Sequence, residues 1–166
     1  LRPDGSTLVK SYTVAATSRF NIWVDYEDPT LADTAVSTTL RSTNGVPIIV
    51  ERAMWWPGPT AATWAESHAT AGATTTGVEW ALADGEVGGA NDQETYILVA
   101  NSSSSAGSVR VTLLFEDGSS AATTVGVGAR SRTTVDARAA FPQATGRKFG
   151  AVVESLGTTP AQIVVE

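Results

Sequence analysis

Apolar and polar residues alternate with a period of two along most of the second half of the chain. Val109, Val111, Leu113 and Phe115 alternate with Ser108, Arg110, Thr112 and Leu114, the pattern of a strand with one face in a core and the other in solvent. Tyr96-Ile97-Leu98-Val99 is shorter and more uniformly apolar, as a central sandwich strand should be. Further strands are predicted over 78–83, 120–127, 131–137, 148–155 and 161–166. Turn residues punctuate them at Asp84-Gly85, Gly88-Gly89, Asn101 to Ser108, Asp117-Gly118 and Gly157 to Pro160. The pattern predicts about seven strands between Val78 and Glu166, the number of an Ig-type sandwich.

The first half repeats the second. Asp4-Gly5-Ser6 recurs as Asp117-Gly118-Ser119, 113 residues on, and Ser18-Arg19 recurs as Ser131-Arg132 at the same spacing. Ile48-Ile49-Val50-Glu51 matches Ile163-Val164-Val165-Glu166 at a spacing of 115. A period of that size is one Ig-sized β-module, not one turn of a solenoid. By this alignment the first copy supplies only the later strands of a module. They are predicted over 7–14, 19–25, 34–42 and 46–54, with Asn44-Gly45 as a hairpin turn. Their early-strand partners, the counterparts of Glu79 to Val111, are not among the 166 residues.

The fold expected is therefore all-β: an Ig-like antiparallel β-sandwich, one full module plus the C-terminal half of a preceding one. Residues 1–56 form the half module, 57–77 a Trp/Pro-containing junction, and 78–166 the complete module. Helix signals are thin. The Ala-rich stretch 61–71 runs into Gly72 and three threonines, and 137–145 has room for one short turn around Pro142.

Composition narrows the function. Hydrophobic residues make up 42% of the chain, enough for a packed core. The net charge of -6 leaves no cationic stripe to bind nucleic-acid phosphates or an anionic membrane surface. No apolar run approaches the length of a membrane helix, so membrane insertion is not expected. With no cysteine there is neither a disulfide framework nor a thiolate nucleophile.

Between the copies lie Val50-Glu51-Arg52-Ala53-Met54-Trp55-Trp56, then Trp64 and His68, Gly72-Ala73-Thr74, Trp80 to Asp84-Gly85, and Glu94-Thr95-Tyr96-Ile97-Leu98-Val99-Ala100-Asn101. This combination resembles a tandem Ig-like repeat of large secreted bacterial proteins, with the pattern E-R-x-M-aromatic-aromatic, W-x(3)-H, W-x(2)-A-[DE]-G and T-Y-x(2)-[LV]-x-N. The resemblance spans essentially the whole chain. It departs at Trp55, where tyrosine is more frequent. It implies a β-sandwich accessory module outside the cell, and it carries over no catalytic residues.

Three groups offer chemistry. Trp55, Trp56, Trp64 and Trp80 form a candidate platform for sugar rings, although burial at the junction is the expected fate of such large apolar surfaces. Asp84, Glu86, Asp92 and Glu94 surround two glycine turns and supply hard oxygen ligands of the kind that hold Ca²⁺. The ordinary alternative is an acidic surface, since no D-x-D-x-D-G loop is present. His68, the sole histidine, follows Glu66-Ser67, but neighbours in sequence do not normally converge as a triad. Arg19 and Arg132 are expected to hold loop carbonyls or surface ion pairs. Asn101-Ser102-Ser103 reads as a glycosylation sequon in a polar loop.

The function expected is that of a non-catalytic extracellular or cell-surface module, structural or adhesive, whose partners are neighbouring modules or identical subunits. The alternatives are a carbohydrate- or protein-binding module using the tryptophans, and the subunit of a fibre held by exchanged strands.

Overall fold

The computed structural model describes the backbone of residues 1–57 and 64–166, and the side chains of 1–55 and 67–166. The strands are β1 (Glu51–Pro57), β2 (Trp64–Ala71), β3 (Glu79–Val87), β4 (Tyr96–Asn101), β5 (Gly107–Phe115), β6 (Ser120–Val127), β7 (Ser131–Asp136), β8 (Arg147–Leu156) and β9 (Ile163–Val165). Two single-turn helices, α1 (Val24–Glu27) and α2 (Ala137–Ala140), are each followed by a 3-10 turn, Pro29–Leu31 and Pro142–Ala144. The chain divides into two compact units, one of residues 1–38 with 76–166 and one of residues 39–75.

The first unit contains the antiparallel sandwich that the alternation predicts. One sheet has the order β3-β8-β5-β6 and the other β7-β4-β9. All seven predicted strands form, and 120–127 matches β6 at both ends. The second strand pairs with the fifth and the third with the sixth, as in an Ig domain. The outer strands differ from the Ig arrangement, because the first strand pairs with β8 and the last with β4. Ile97 and Val99 of β4 face Val109, Val111 and Leu113 of β5 and Val153 of β8 across a single core. Phe141 and Ala144, just after α2, plug one end of it. Each side chain of this size contributes roughly 1.5–3 kcal/mol when fully buried.

The margin where β9 meets β3 is closed by backbone. Gly77 and Ile163 exchange both hydrogen bonds, at 2.9 and 2.8 Å. The Trp80 indole Nε1 donates to the same Ile163 carbonyl at 3.0 Å.

Asp84-Gly85, expected as a turn between strands, is instead a bulge within β3. Register with β8 shifts between Leu82 and Gly85, and Asp84 sits at a φ of 67°. The Phe149 ring packs directly over Gly85 and leaves no space for a side chain there. A Cβ on Gly85 would lie 2.3 Å from its Cε2.

The strands predicted over 7–14, 19–25 and 34–42 do not form, and that predicted over 46–54 appears only from Glu51 onward, in β1. The pairing map of the complete module explains this. Each of its ladders joins one of β3, β4 and β5 to one of β6, β7, β8 and β9. The later strands never pair among themselves. Segments 7–14, 19–25 and 34–42 have the alternation of strands, but alternation without a pairing partner makes no ladder.

The second unit contains the hairpin β1–β2, with Glu51 opposite Ala71 and Trp55 opposite Ser67. The Gly72 N–H extends it by donating to the Val50 carbonyl at 2.8 Å.

Replacing Gly85 with alanine should force Phe149 or the bulge to move and cost roughly 1–3 kcal/mol. Gly126→Ala, on β6 where a new Cβ meets nothing within 4 Å, should be within about 0.5 kcal/mol of the parent. Urea midpoints of the two variants test the contrast.

Candidate functional site

The charged residues at the α2 end of the sandwich come from three neighbouring stretches. The β3 bulge presents Asp84 and Glu86, the loop to β4 presents Asp92 and Glu94, and β8 begins with Arg147 and Lys148. A depression of about 340 Å³ is lined by Asp84, Glu86, Gln93, Glu94, Thr95 and Lys148. A second of similar volume shares Glu86 and Lys148 and is bordered by Glu116, Asp117 and Arg147. Three of the four carboxylates proposed as calcium ligands thus border one depression.

Their geometry is that of an ion-pair network. The Lys148 ammonium lies 4.0 Å from Glu86. Arg138, on α2, reaches Asp92 at 2.7 Å and Glu94 at 3.6 Å, so Asp92 is drawn toward α2. Among the described residues no three histidine, aspartate or glutamate side chains converge as a metal-holding group. Thr95 braces the bulge, accepting from the Glu86 N–H at 3.0 Å and donating to its carbonyl at 2.8 Å. Arg147 bridges Asp117 at 2.6 Å and lies 3.7 Å above the Phe115 ring. These pairs are exposed, so each contributes little to stability and weakens with salt.

Two hydroxyl contacts tune ionisation here. The Tyr96 hydroxyl donates to Glu94 at 2.6 Å, which pushes the phenol up to about 12. Ser119 donates to Asp117 from its hydroxyl and backbone N–H, and these bonds hold the carboxyl below its ordinary value.

The four tryptophans lie on three strands, β1, β2 and β3. Trp55 lies on β1 and is 60% exposed, contrary to the expectation of burial. Trp80 belongs to the sandwich unit, where it is half-buried against the core. Trp56 and Trp64 fall in β1 and β2, and their side chains lie outside the described residues. On β2, strand alternation sends Ser67 and His68 to opposite faces, so those two do not converge.

Asn101 carries a role that its sequon hides. It is fully buried, and its amide donates to the carbonyls of Ser105 and Gly128, both at 2.8 Å. Its Oδ1 accepts from the Ser103 N–H at 2.9 Å and hydroxyl at 2.6 Å. Both amide hydrogens are committed, so the side chain is a clasp between two loops and not a modification site. Arg132 is likewise buried and donates to Thr134 at 2.9 Å, whereas its sequence counterpart Arg19 is exposed and meets Asn21.

No family model matches this chain, and no curated protein matches it. Among solved structures it is similar to the Anabaena sensory rhodopsin transducer, at 19% identity, over 57% of this chain and 98% of that one, with a TM-score of 0.46. It is also similar to Thermotoga maritima 1070, at 13% identity, over 55% of this chain and 91% of that one, with a TM-score of 0.43.

Two outcomes are expected. Asn101→Ala should destabilise the chain by about 3 kcal/mol, since it removes the four hydrogen bonds that this buried amide makes to Ser103, Ser105 and Gly128. A change under about 1 kcal/mol in thermal or urea unfolding would refute the clasp. Tyr96, its folded pKa raised to about 12, should contribute stability at neutral pH that is lost as pH rises from near 10 through 12. Ultraviolet titration should show its phenolate step move down toward 10 in Glu94→Gln.

Proposed function

We propose that this chain is a non-catalytic structural module of an extracellular or cell-surface array, one that spaces or presents other domains. Its partners in this reading are neighbouring modules of the same kind. The observation that carries it is the repeat, because turns as well as sequence recur at 113 residues. The backbone hydrogen bonds of Arg2 with Ser6 and of Gly5 with Arg2 are those of Phe115 with Ser119 and of Gly118 with Phe115. Gly5 and Gly118 have φ values of 80° and 82°. The acidic charge and the self-paired ion network suit a solvated spacer. No described helix is long and apolar enough to cross a membrane.

The test is a ladder of polypeptides carrying one, two and three tandem copies of residues 54–166. Small-angle scattering should show the maximum dimension growing by a constant increment per copy. A dimension that stays level as copies are added would sink the spacer reading. Ester, peptide and glycoside substrate panels should give background turnover, and turnover abolished by His68→Ala would overturn the non-catalytic assignment.

The exposure of Trp55 supports a second reading, in which the β1–β2 hairpin binds carbohydrate or a surface protein. An exposed indole stacks on a sugar ring at little cost in ordering. That reading expects polysaccharide to shift tryptophan emission in the parent chain and not in Trp55→Ala. Equal shifts in both proteins would remove Trp55 from it.

A further inference from the structure

We infer that the Asp117-Gly118 turn of the sandwich is a docking surface whose partner is the corner from Ala129 to Ser131 in a second copy of the module. The inference rests on the spacer reading and deepens it, since it concerns how successive copies of an array touch.

The chain already contains one such contact. The turn at Asp4-Gly5 lies against the corner between β6 and β7, within the same compact unit. The Ser131 hydroxyl donates to the Pro3 carbonyl at 3.2 Å, and its other contact, the Arg132 carbonyl, is longer at 3.4 Å. Ser131 is buried, so its hydroxyl needs a partner, and residue 3 supplies one. A Cβ on Gly5 would stand 3.3 Å from the Ala129 carbonyl, which brings the backbone of the turn against that of the corner. The corner itself is firmly held. Asn101 donates to the Gly128 carbonyl at 2.8 Å, and the Arg130 N–H donates to the Ser103 carbonyl at 2.9 Å.

The second turn follows the same plan and stands open. Asp117 accepts from the Ser119 N–H at 2.9 Å, as Asp4 does from Ser6 at 2.8 Å. The Ser37 N–H donates to the Leu1 carbonyl at 2.9 Å, at the positions where Leu114 and Gly150 pair in the β5–β8 ladder. Gly5 and Ser6 are half-buried, whereas residues 116–120 are exposed. A Cβ on Gly118 would meet nothing within 4 Å. One surface is thus seated in the first copy and free in the second. The corner is duplicated as well: Ser18 follows Thr17, at a φ of 51°, as Ser131 follows Arg130, at 49°. A turn and a corner on different parts of one module make a heterologous contact, which propagates head to tail instead of closing. The contact is small, so it suits tethered copies, whose local concentration is high.

The test extends the full chain in phase: residues 1–166 followed directly by a second copy of 52–166, because Glu51 aligns with Glu166. With no native cysteine, spin labels can be placed at single introduced pairs on exposed positions. In the parent, Thr7→Cys with Thr124→Cys gives the distance distribution of the seated turn. In the tandem chain, Ser120→Cys of the first copy with Thr124→Cys of the second should give a narrow peak at the same distance. Gly118→Asn in the first copy should abolish that peak. Asparagine tolerates positive φ, so the turn survives, but its side chain enters the space of the Ala129 carbonyl. Ser131→Ala in the second copy should broaden the peak by removing the donor, and circular dichroism reports that each variant is folded. A broad distribution in the tandem chain, a narrow one at another distance, or a peak that survives both substitutions overturns the inference. Scattering separates that failure from failure of the spacer reading, because undocked copies still lengthen the molecule as they are added.

Discussion

Every ladder of the sandwich joins the first three strands of the module to the last four, and the rest of the structure depends on that constraint. No stable intermediate sheet can be assembled from one half alone, since β6 to β9 have no mutual edges. The central strands show the consequence most plainly. β5 is held between β6 and β8, and β4 between β7 and β9, so both of these early strands are stitched on both sides by later sequence. The core side chains of Ile97, Val111 and Val153 leave water only when both halves are present. Such non-local pairing carries a large loop-closure cost before any contact repays it.

Three local devices hold the halves in register once they meet. Trp80 and Gly77 fasten the start of β3 to the Ile163 carbonyl near the chain's last strand. Asn101 ties the end of β4 to the loop before β7, and the carbonyls of Ser105 and Gly128 satisfy both hydrogens of its buried amide. The bulge at Asp84 and Gly85 fits β3 around the Phe149 ring, and the same bulge brings Glu86 beside Lys148. The charged surface at that end is therefore a by-product of packing as much as a feature in its own right.

The complete module is legible from alternation because its strands are amphipathic and all its positive-φ positions but Arg130 carry Gly or Asp. The first fifty residues have the same alternation, yet alternation reports only which face a strand would bury, and pairing decides whether the strand exists. Gly85 misleads for a related reason: a glycine in Asp-Gly suits a hairpin turn and a bulge equally well, and only the Phe149 ring distinguishes them. Asn101 reads as an accessible sequon because burial of a polar side chain leaves no periodic trace. The acidic residues are legible as neighbours, but their cations, Arg138 and Lys148, lie 46 and 62 residues beyond Asp92 and Glu86 respectively. Size alone would send Trp55 to a core, whereas its place on a two-stranded hairpin leaves it 60% exposed.

Structure is distributed unevenly along the 113-residue correspondence. A repeat of 113 residues is longer than the sandwich, which runs from Gly77 to Glu166, and the excess corresponds to the hairpin stretch that follows Glu51. The sandwich half of the period is strongly cross-linked by backbone ladders and a single core, and its carboxylates Glu86, Asp92, Asp117 and Glu154 are matched to arginine or lysine. The hairpin half has two strands, and Trp55 stands out from it. An isolated two-stranded hairpin is marginal in water. An exposed side chain such as Trp55 can therefore change without opening a cavity, whereas a change at Val111 or Val153 would disturb a packed core.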